Sequence, residues 1–194
     1  MQQNWFQKKR IHYKKGECMK SPDEKNVYII VEGTAQIFHL HPDGKECVIG
    51  LIMPGDCIGL LDIFSDGEQS RFARAMTDVQ AILLSVSEVE KVIRSTPELA
   101  IQLIRYLAEQ LEETYDILEQ VAYGKVEERL LFLLKKLANK QGEEGELAPL
   151  PAFLTHRDLA GMIGSTRETV TFLLNKFIHD GVILDRNDGL WLRK

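Results

Sequence analysis

The chain has 194 residues, 44% of them hydrophobic, with a formal net charge of −5 at pH 7, enough apolar material for one packed domain or two small ones. The acidic balance excludes a protein that coats nucleic acid through bulk charge, so any DNA binding has to come from local placement of cations. No apolar stretch approaches the roughly 18 residues of a membrane span and the N-terminus has no secretory apolar region, which predicts a cytoplasmic protein with no membrane partner.

Up to about Ser95 the chain is a series of short β-type runs with turn signals between them: VYIIVEG, AQIFHL, HPDGK, ECVIGLIM, PGD, CIGLL and RFARAMTDVQAILLSV. Strands this short and evenly spaced predict a small β-barrel or jelly roll. The cluster Lys8, Lys9, Arg10, Lys14 and Lys15 reads as a solvated strand edge. Cys18, Cys47 and Cys57 are odd in number and lack C-x-x-C spacing, so neither a disulfide framework nor a zinc site is indicated; buried or partly buried free thiols are expected. His39 and His41 share a strand face, with Glu46 shortly after, in the manner of a cupin metal motif. No further His occurs before His156, however, so the third imidazole is missing and a structural reading is preferred. No metal and no cofactor are expected.

From Pro97 to about Gly124 the residues Ile104, Leu107, Leu111, Thr114, Leu118 and Val121 recur at alternating spacings of three and four, which predicts a long helix with a dimer seam. Thr114 is its polar member, a residue type that fixes register at some cost in stability. Gly124 and Lys125 join this helix to the next, Val126 to Lys140, and read as a hinge. An acidic connector over residues 141–146 leads to Pro149 and Pro151.

The remaining segment predicts two short helices and a hairpin. Thr155 is an N-cap ahead of Leu159, Met162 and Ile163, and Gly164 supplies the turn that ends the first helix. Ser165 or Thr166 caps a second helix whose apolar face is Val170, Leu173, Leu174, Phe177 and Ile178, leaving Thr166, Arg167, Glu168, Thr171 and Lys176 outward. Val182-Ile183-Leu184 and Leu190-Trp191-Leu192 around Asn187-Asp188-Gly189 read as a wing. Arg can donate two bonds to guanine O6 and N7 while Glu accepts from cytosine N4, so Arg167 and Glu168 have the chemistry of base readers.

The phrase GSTRETVTFLLNKF resembles the recognition helix of the family of the cyclic-AMP receptor protein and the fumarate-nitrate regulators (CRP/FNR), and the likeness covers nearly the whole chain. It implies an α+β protein: an N-terminal β-roll of the cyclic-nucleotide-binding type over 1–96, a dimerisation helix over 97–124 and a winged helix-turn-helix over 125–194. It implies, too, that Arg167 and Glu168 read a half-site resembling TGTGA, while Thr155, His156 and Arg157 hold backbone phosphates. Phe172 stands where the family usually has a second base-reading Arg. By the same likeness Gly59, Leu60, Gln69, Ser70, Arg71, Thr114 and Tyr115 surround the effector site, with Thr114 at a position whose hydroxyl contacts adenine. There, Leu60 replaces the Glu that takes the ribose hydroxyl and Gln69 replaces the Arg that neutralises the cyclic phosphate; Arg71, on the same strand face as Gln69, is the available substitute. Only Cys18 lies where oxygen-sensing relatives bunch the cysteines of an iron–sulfur cluster.

Together these features predict a homodimeric transcription regulator of double-stranded DNA, not an enzyme and independent of cyclic AMP; its acidic loop reads first as a solvated connector, the resemblance offering RNA polymerase as the alternative partner for it. The alternative is a cupin-like metal enzyme or metal sensor fused to a DNA-binding tail.

Overall fold

A computed structural model describes residues 9–44, 46–65, 70–140 and 146–193, with the side chains of residues 139 and 140 left out. Gln69, Lys8 and most of the acidic connector therefore lie outside the described residues. The chain divides into two compact units, Met1–Gln110 and Leu111–Lys194.

The first unit is built from two four-stranded antiparallel sheets. One has the order β1 (Arg10–Tyr13), β8 (Val79–Ser85), β3 (Asn26–Glu32), β6 (Cys57–Ile58); the other β2 (Cys18–Lys20), β7 (Arg71–Ala75), β4 (Ala35–Leu40), β5 (Glu46–Ile52). Met19, Tyr28, Ile30, Ala35, Ile52, Ile58, Ala73, Ala75, Val79 and Ala81 form its main core. Alternation along β7 puts Arg71 on the same side as the buried Ala73 and Ala75, so its charge is directed toward the domain interior. This is the jelly-roll-like β-roll expected from the spacing of the runs.

Two glycines are required by close approach. At Gly33 (φ 83°) a Cβ would lie 2.1 Å from the Asp78 carbonyl, and at Gly59 (φ 84°) 2.1 Å from that of Asn26. Gly59 caps α1 (Leu60–Ile63), a single turn that brings Leu60 and Asp62 into the interior. A capping box between Ser85 and Glu88 starts α2 (Val86–Ser95), and α3 runs over Pro97–Tyr123 with Pro at its first position. Leu103, Tyr106 and Leu107 pack against a second core cluster of Val27, Leu60, Ile82, Leu84 and Val89. Leu107, a member of the predicted seam, is thus drawn toward its own domain.

In the second unit α4 (Val126–Lys140) buries Leu130, Leu134, Leu137 and Ala138. It packs with α5 (His156–Ile163), β9 (Leu147–Pro149) and β11 (Gly189–Arg193), while α6 (Arg167–His179) packs on α5 and β10 (Ile183–Arg186). The wing is the expected hairpin, Arg186 pairing with Gly189 across a two-residue turn. Its third strand, β9, pairs with β11 through Pro149↔Trp191 and Leu147↔Arg193, where the sequence suggested only an approach loop. No helix among the described residues is long and apolar enough to cross a membrane.

The thiols depart from expectation. Cys18 and Cys47 are exposed and only Cys57 is partly buried; β2 and β5, which carry the first two, are the edge strands of their sheet. The Cys57 thiol is pushed up to about 12 by burial, with the Asp56 charge adding to it.

Candidate nucleic-acid interface and sensor interior

The outward face of α6 is fixed at its N-terminus by local chemistry. Gly164 ends α5 in the left-handed region (φ 61°), and Ser165 N–H donates back to the Ala160 carbonyl at 2.9 Å, which turns the chain sharply into the second helix. Thr166 is the N-cap: its hydroxyl accepts from the Thr169 amide at 3.2 Å, so this predicted DNA-contacting side chain also holds the helix start. Val170, Leu173, Leu174 and Phe177 are buried beneath. Arg167 and Glu168 are left exposed in the first turn, where the helix begins and where a major-groove helix presents its base-reading residues.

Thr155 and Asp158 form a capping box at the start of α5, with Asp158 N–H donating to the Thr155 hydroxyl at 3.2 Å and Thr155 N–H to the Asp158 carboxylate at 2.8 Å. His156 Nδ1 lies 2.8 Å from the Thr171 hydroxyl, which itself donates to the Arg167 carbonyl at 2.9 Å. Since that hydroxyl has one proton and gives it to the carbonyl, it accepts from the imidazole, whose Nδ1 then carries the hydrogen. His156 and Thr171 therefore tie α5 to α6. Arg157 is exposed beside them. Lys176 is bound by Glu127 of α4 at 2.7 Å, and that hydrogen bond holds its ammonium above the usual lysine range.

Arg167, Glu168, Thr171, Phe172 and Asn175 line one open surface depression. Asn175 was not singled out by sequence reasoning. Its one signal was its place at i+8 from Arg167 and i+7 from Glu168, which returns it to the same helix face after two turns.

The interior of the β-roll holds a group of charges that the sequence did not bring together. Lys20 and Asp62 are 2% and 3% exposed, with Lys20 Nζ 2.8 Å from an Asp62 oxygen. The other Asp62 oxygen accepts from the Arg71 guanidinium. Lys20 also donates to the Ser21 carbonyl at 3.1 Å. Asp62 thus serves two cations from β2 and β7 at once, which meets the rule that a buried charge is found paired. Gly59 begins the turn that carries Asp62, and Leu60 is 4% exposed within the apolar cluster. Ser70 contacts His39 through its hydroxyl at 2.9 Å. Thr114 and Tyr115 are both exposed on α3.

His39 is thereby occupied by Ser70, and His41 lies 3.2 Å from Asp43 in its own turn. Among the described residues no group of three His, Cys, Asp or Glu is arranged to hold a metal ion.

At the join of α3 and α4, Gly124 N–H donates to the Gln120 carbonyl at 2.8 Å. A Cβ on Gly124 would meet that same oxygen at 2.6 Å, so the close turn requires glycine. Lys125 N–H donates to the Glu128 carboxylate at 2.6 Å and so starts α4.

Comparison with known proteins agrees with this geometry. Residues 10–96 match the profile of the cyclic nucleotide-binding domain, and residues 128–193 that of the Crp-like helix-turn-helix domain. A CRP-like cAMP-activated global transcriptional regulator of Mycobacterium tuberculosis is 33% identical over 158 residues, covering 81% of this chain and 70% of its own. A cyclic AMP receptor protein of Thermus thermophilus is 30% identical over 157 residues, covering 81% and 70%. Among solved structures, FixK2 of Bradyrhizobium japonicum superposes with a TM-score of 0.82 at 23% identity over 96% of this chain and 92% of that one, a likeness of fold. The chain belongs to the CRP/FNR family. It is a transcription regulator with a helix-turn-helix DNA-binding domain, and the family assignment leaves the cupin-like enzyme alternative unsupported.

Proposed function

We propose that the chain works as a homodimer that reads a two-fold operator with half-sites resembling TGTGA, and that it does so without cyclic AMP. The observation that carries base reading is the exposed pair Arg167 and Glu168 in the first turn of a helix whose opposite face is buried and whose N-terminus is capped by Thr166. Thr155, His156 and Arg157 hold backbone phosphates alongside, with Thr171 and Lys176 at the margin of the contact. Residues 1–96 are the sensor or scaffold, 97–124 the dimerisation helix and 125–194 the DNA-binding domain, with Gly124 and Lys125 as the hinge. Such a regulator acts in the cytoplasm and is not an enzyme.

Dimerisation rests on α3. Ile104, Leu111, Leu118 and Val121 are all exposed, as are Ile101 and Tyr115, an apolar line too extended to be left in water. With Leu107 turned to its own core, Tyr115 rather than Thr114 supplies the bulk beside Leu111 and Leu118. A dimer sets two recognition helices about 34 Å apart, the spacing of successive major grooves.

Independence from the nucleotide rests on the sensor interior. The Mycobacterium tuberculosis relative is named as cAMP-activated, but here Leu60 is apolar core, and Arg71, the substitute phosphate anchor, already pairs with Asp62. A phosphate entering beside Asp62 would meet a buried carboxylate rather than a free cation. A ligand shifts a two-state equilibrium only by its differential affinity, so a nucleotide bound weakly in both states changes little.

The test is a fluorescence-anisotropy titration of a two-fold TGTGA duplex at fixed salt, with and without saturating cyclic AMP, for the wild-type chain and for Leu111→Asp with Leu118→Asp. We expect the same affinity with and without the nucleotide, and a monomer with no operator binding for the double variant. A tenfold gain with cyclic AMP, about 1.4 kcal/mol of coupling, overturns the independence; tight binding by a monomer overturns the dimer.

A further inference from the structure

Phe172 is 68% exposed, although the other large apolar residues of α6 are buried or half-buried. It follows Thr171, stands four residues after Glu168, and lines the same depression as Arg167 and Glu168. One turn along a helix advances about 5.4 Å, between one and two base-pair steps of about 3.4 Å, so the ring addresses a base pair next to or just beyond the one that Glu168 reads. The major groove presents one apolar group, the C5-methyl of thymine, and Phe is among the side chains that contact it. Thr171, the neighbour with a methyl of its own, has its hydroxyl committed to the Arg167 carbonyl and to His156.

We infer that Phe172 is a specificity residue that reads a thymine methyl in each half-site. The inference rests on the proposed DNA reading by α6 and goes beyond it, because it names a base class and an apolar mode of recognition. No charge reaches the base at this position, so discrimination there does not depend on salt, whereas Arg167 and the phosphate contacts are salt-sensitive.

The test uses the full chain and a duplex selected by it from a library with a randomised two-fold core. Each thymine of the selected half-site is replaced in turn, on both halves, by deoxyuridine, which lacks only the methyl. Affinities are measured at fixed salt for wild type, Phe172→Ala, Phe172→Leu and Arg167→Ala. One thymine position is expected at which deoxyuridine weakens wild-type binding about four-fold per half-site, the equivalent of one buried methylene. Phe172→Ala should be indifferent to that change, Phe172→Leu should keep part of the preference, and Arg167→Ala should keep it at lower overall affinity. A selected duplex on which wild type ignores every replacement, or on which Phe172→Ala discriminates as wild type does, overturns this inference alone. A selection that returns no preferred sequence overturns the DNA-reading proposal and this one with it.

Discussion

The two units use their charged residues in opposite directions. In the winged unit Arg167, Glu168 and Arg157 stand in water on helices fixed by caps and by the His156 to Thr171 contact, so their hydrogen-bonding capacity faces outward. In the β-roll, Lys20 and Asp62 are buried and satisfy each other, with Arg71 drawn onto the same carboxylate. An outward charge is held ready for a partner whose arrival it does not have to rearrange for; an inward pair has to be broken before anything else can use it. One half of the molecule is poised to bind and the other is closed on itself.

The largest expected effect comes from breaking the inward pair. Asp62→Asn leaves the Lys20 ammonium buried without a counter-charge, a situation that costs about 3–5 kcal/mol, read as a lower midpoint in urea unfolding. Lys20→Met and Arg71→Met with Asp62→Leu should recover most of that loss, because well-packed apolar residues in place of a buried charged group are commonly neutral or stabilising. If Asp62→Asn alone left the midpoint unchanged, the pair would not be contributing to the stability of the β-roll.

How much of this was legible in the sequence depends on distance along the chain. Thr155, Gly164 and Thr166 act on neighbours within four residues, so caps, turn and recognition face could be read directly. Lys20 and Asp62 meet through the fold alone, and neither carries a periodic signal; Asp62 falls just after the run CIGLL, where nothing in the sequence marks it. The three-residue β9 is too short to show alternation and exists because β11 offers it an edge. The α3 stripe was visible, but a spacing of three and four does not say that one of its members, Leu107, also packs against the core of the β-roll.

A smaller effect tests the outward half. Arg167→Ala should cost about 1–3 kcal/mol on the selected duplex and relax preference at one base pair, as the loss of a bidentate base contact does. Arg157→Ala should instead weaken all sequences alike and lower the salt slope by about one. Sequence preference left intact by Arg167→Ala would reverse the roles given to these two arginines.

The smallest effect separates edge from interior within the β-roll itself. A thiol reacts as its thiolate, and Cys57, with burial and Asp56 pushing it up to about 12, has roughly one molecule in ten thousand ionised at pH 8. Cys18 and Cys47 are exposed on edge strands. Iodoacetamide at pH 8, followed by mass spectrometry of peptides, should label Cys18 and Cys47 first and Cys57 only once urea has opened the domain. The same shift has a sign in stability. Above the ordinary thiol range the unfolded chain gives up the Cys57 proton while the folded chain keeps it, so the unfolded state binds fewer protons and stability falls with rising pH up to about 12. Cys57→Ala should flatten that decline without altering Cys18 or Cys47 labelling. Native Cys57 reacting as fast as the other two would mean that the β3 to β6 edge opens readily, and that the interior of the β-roll is less closed than its buried ion pairs imply.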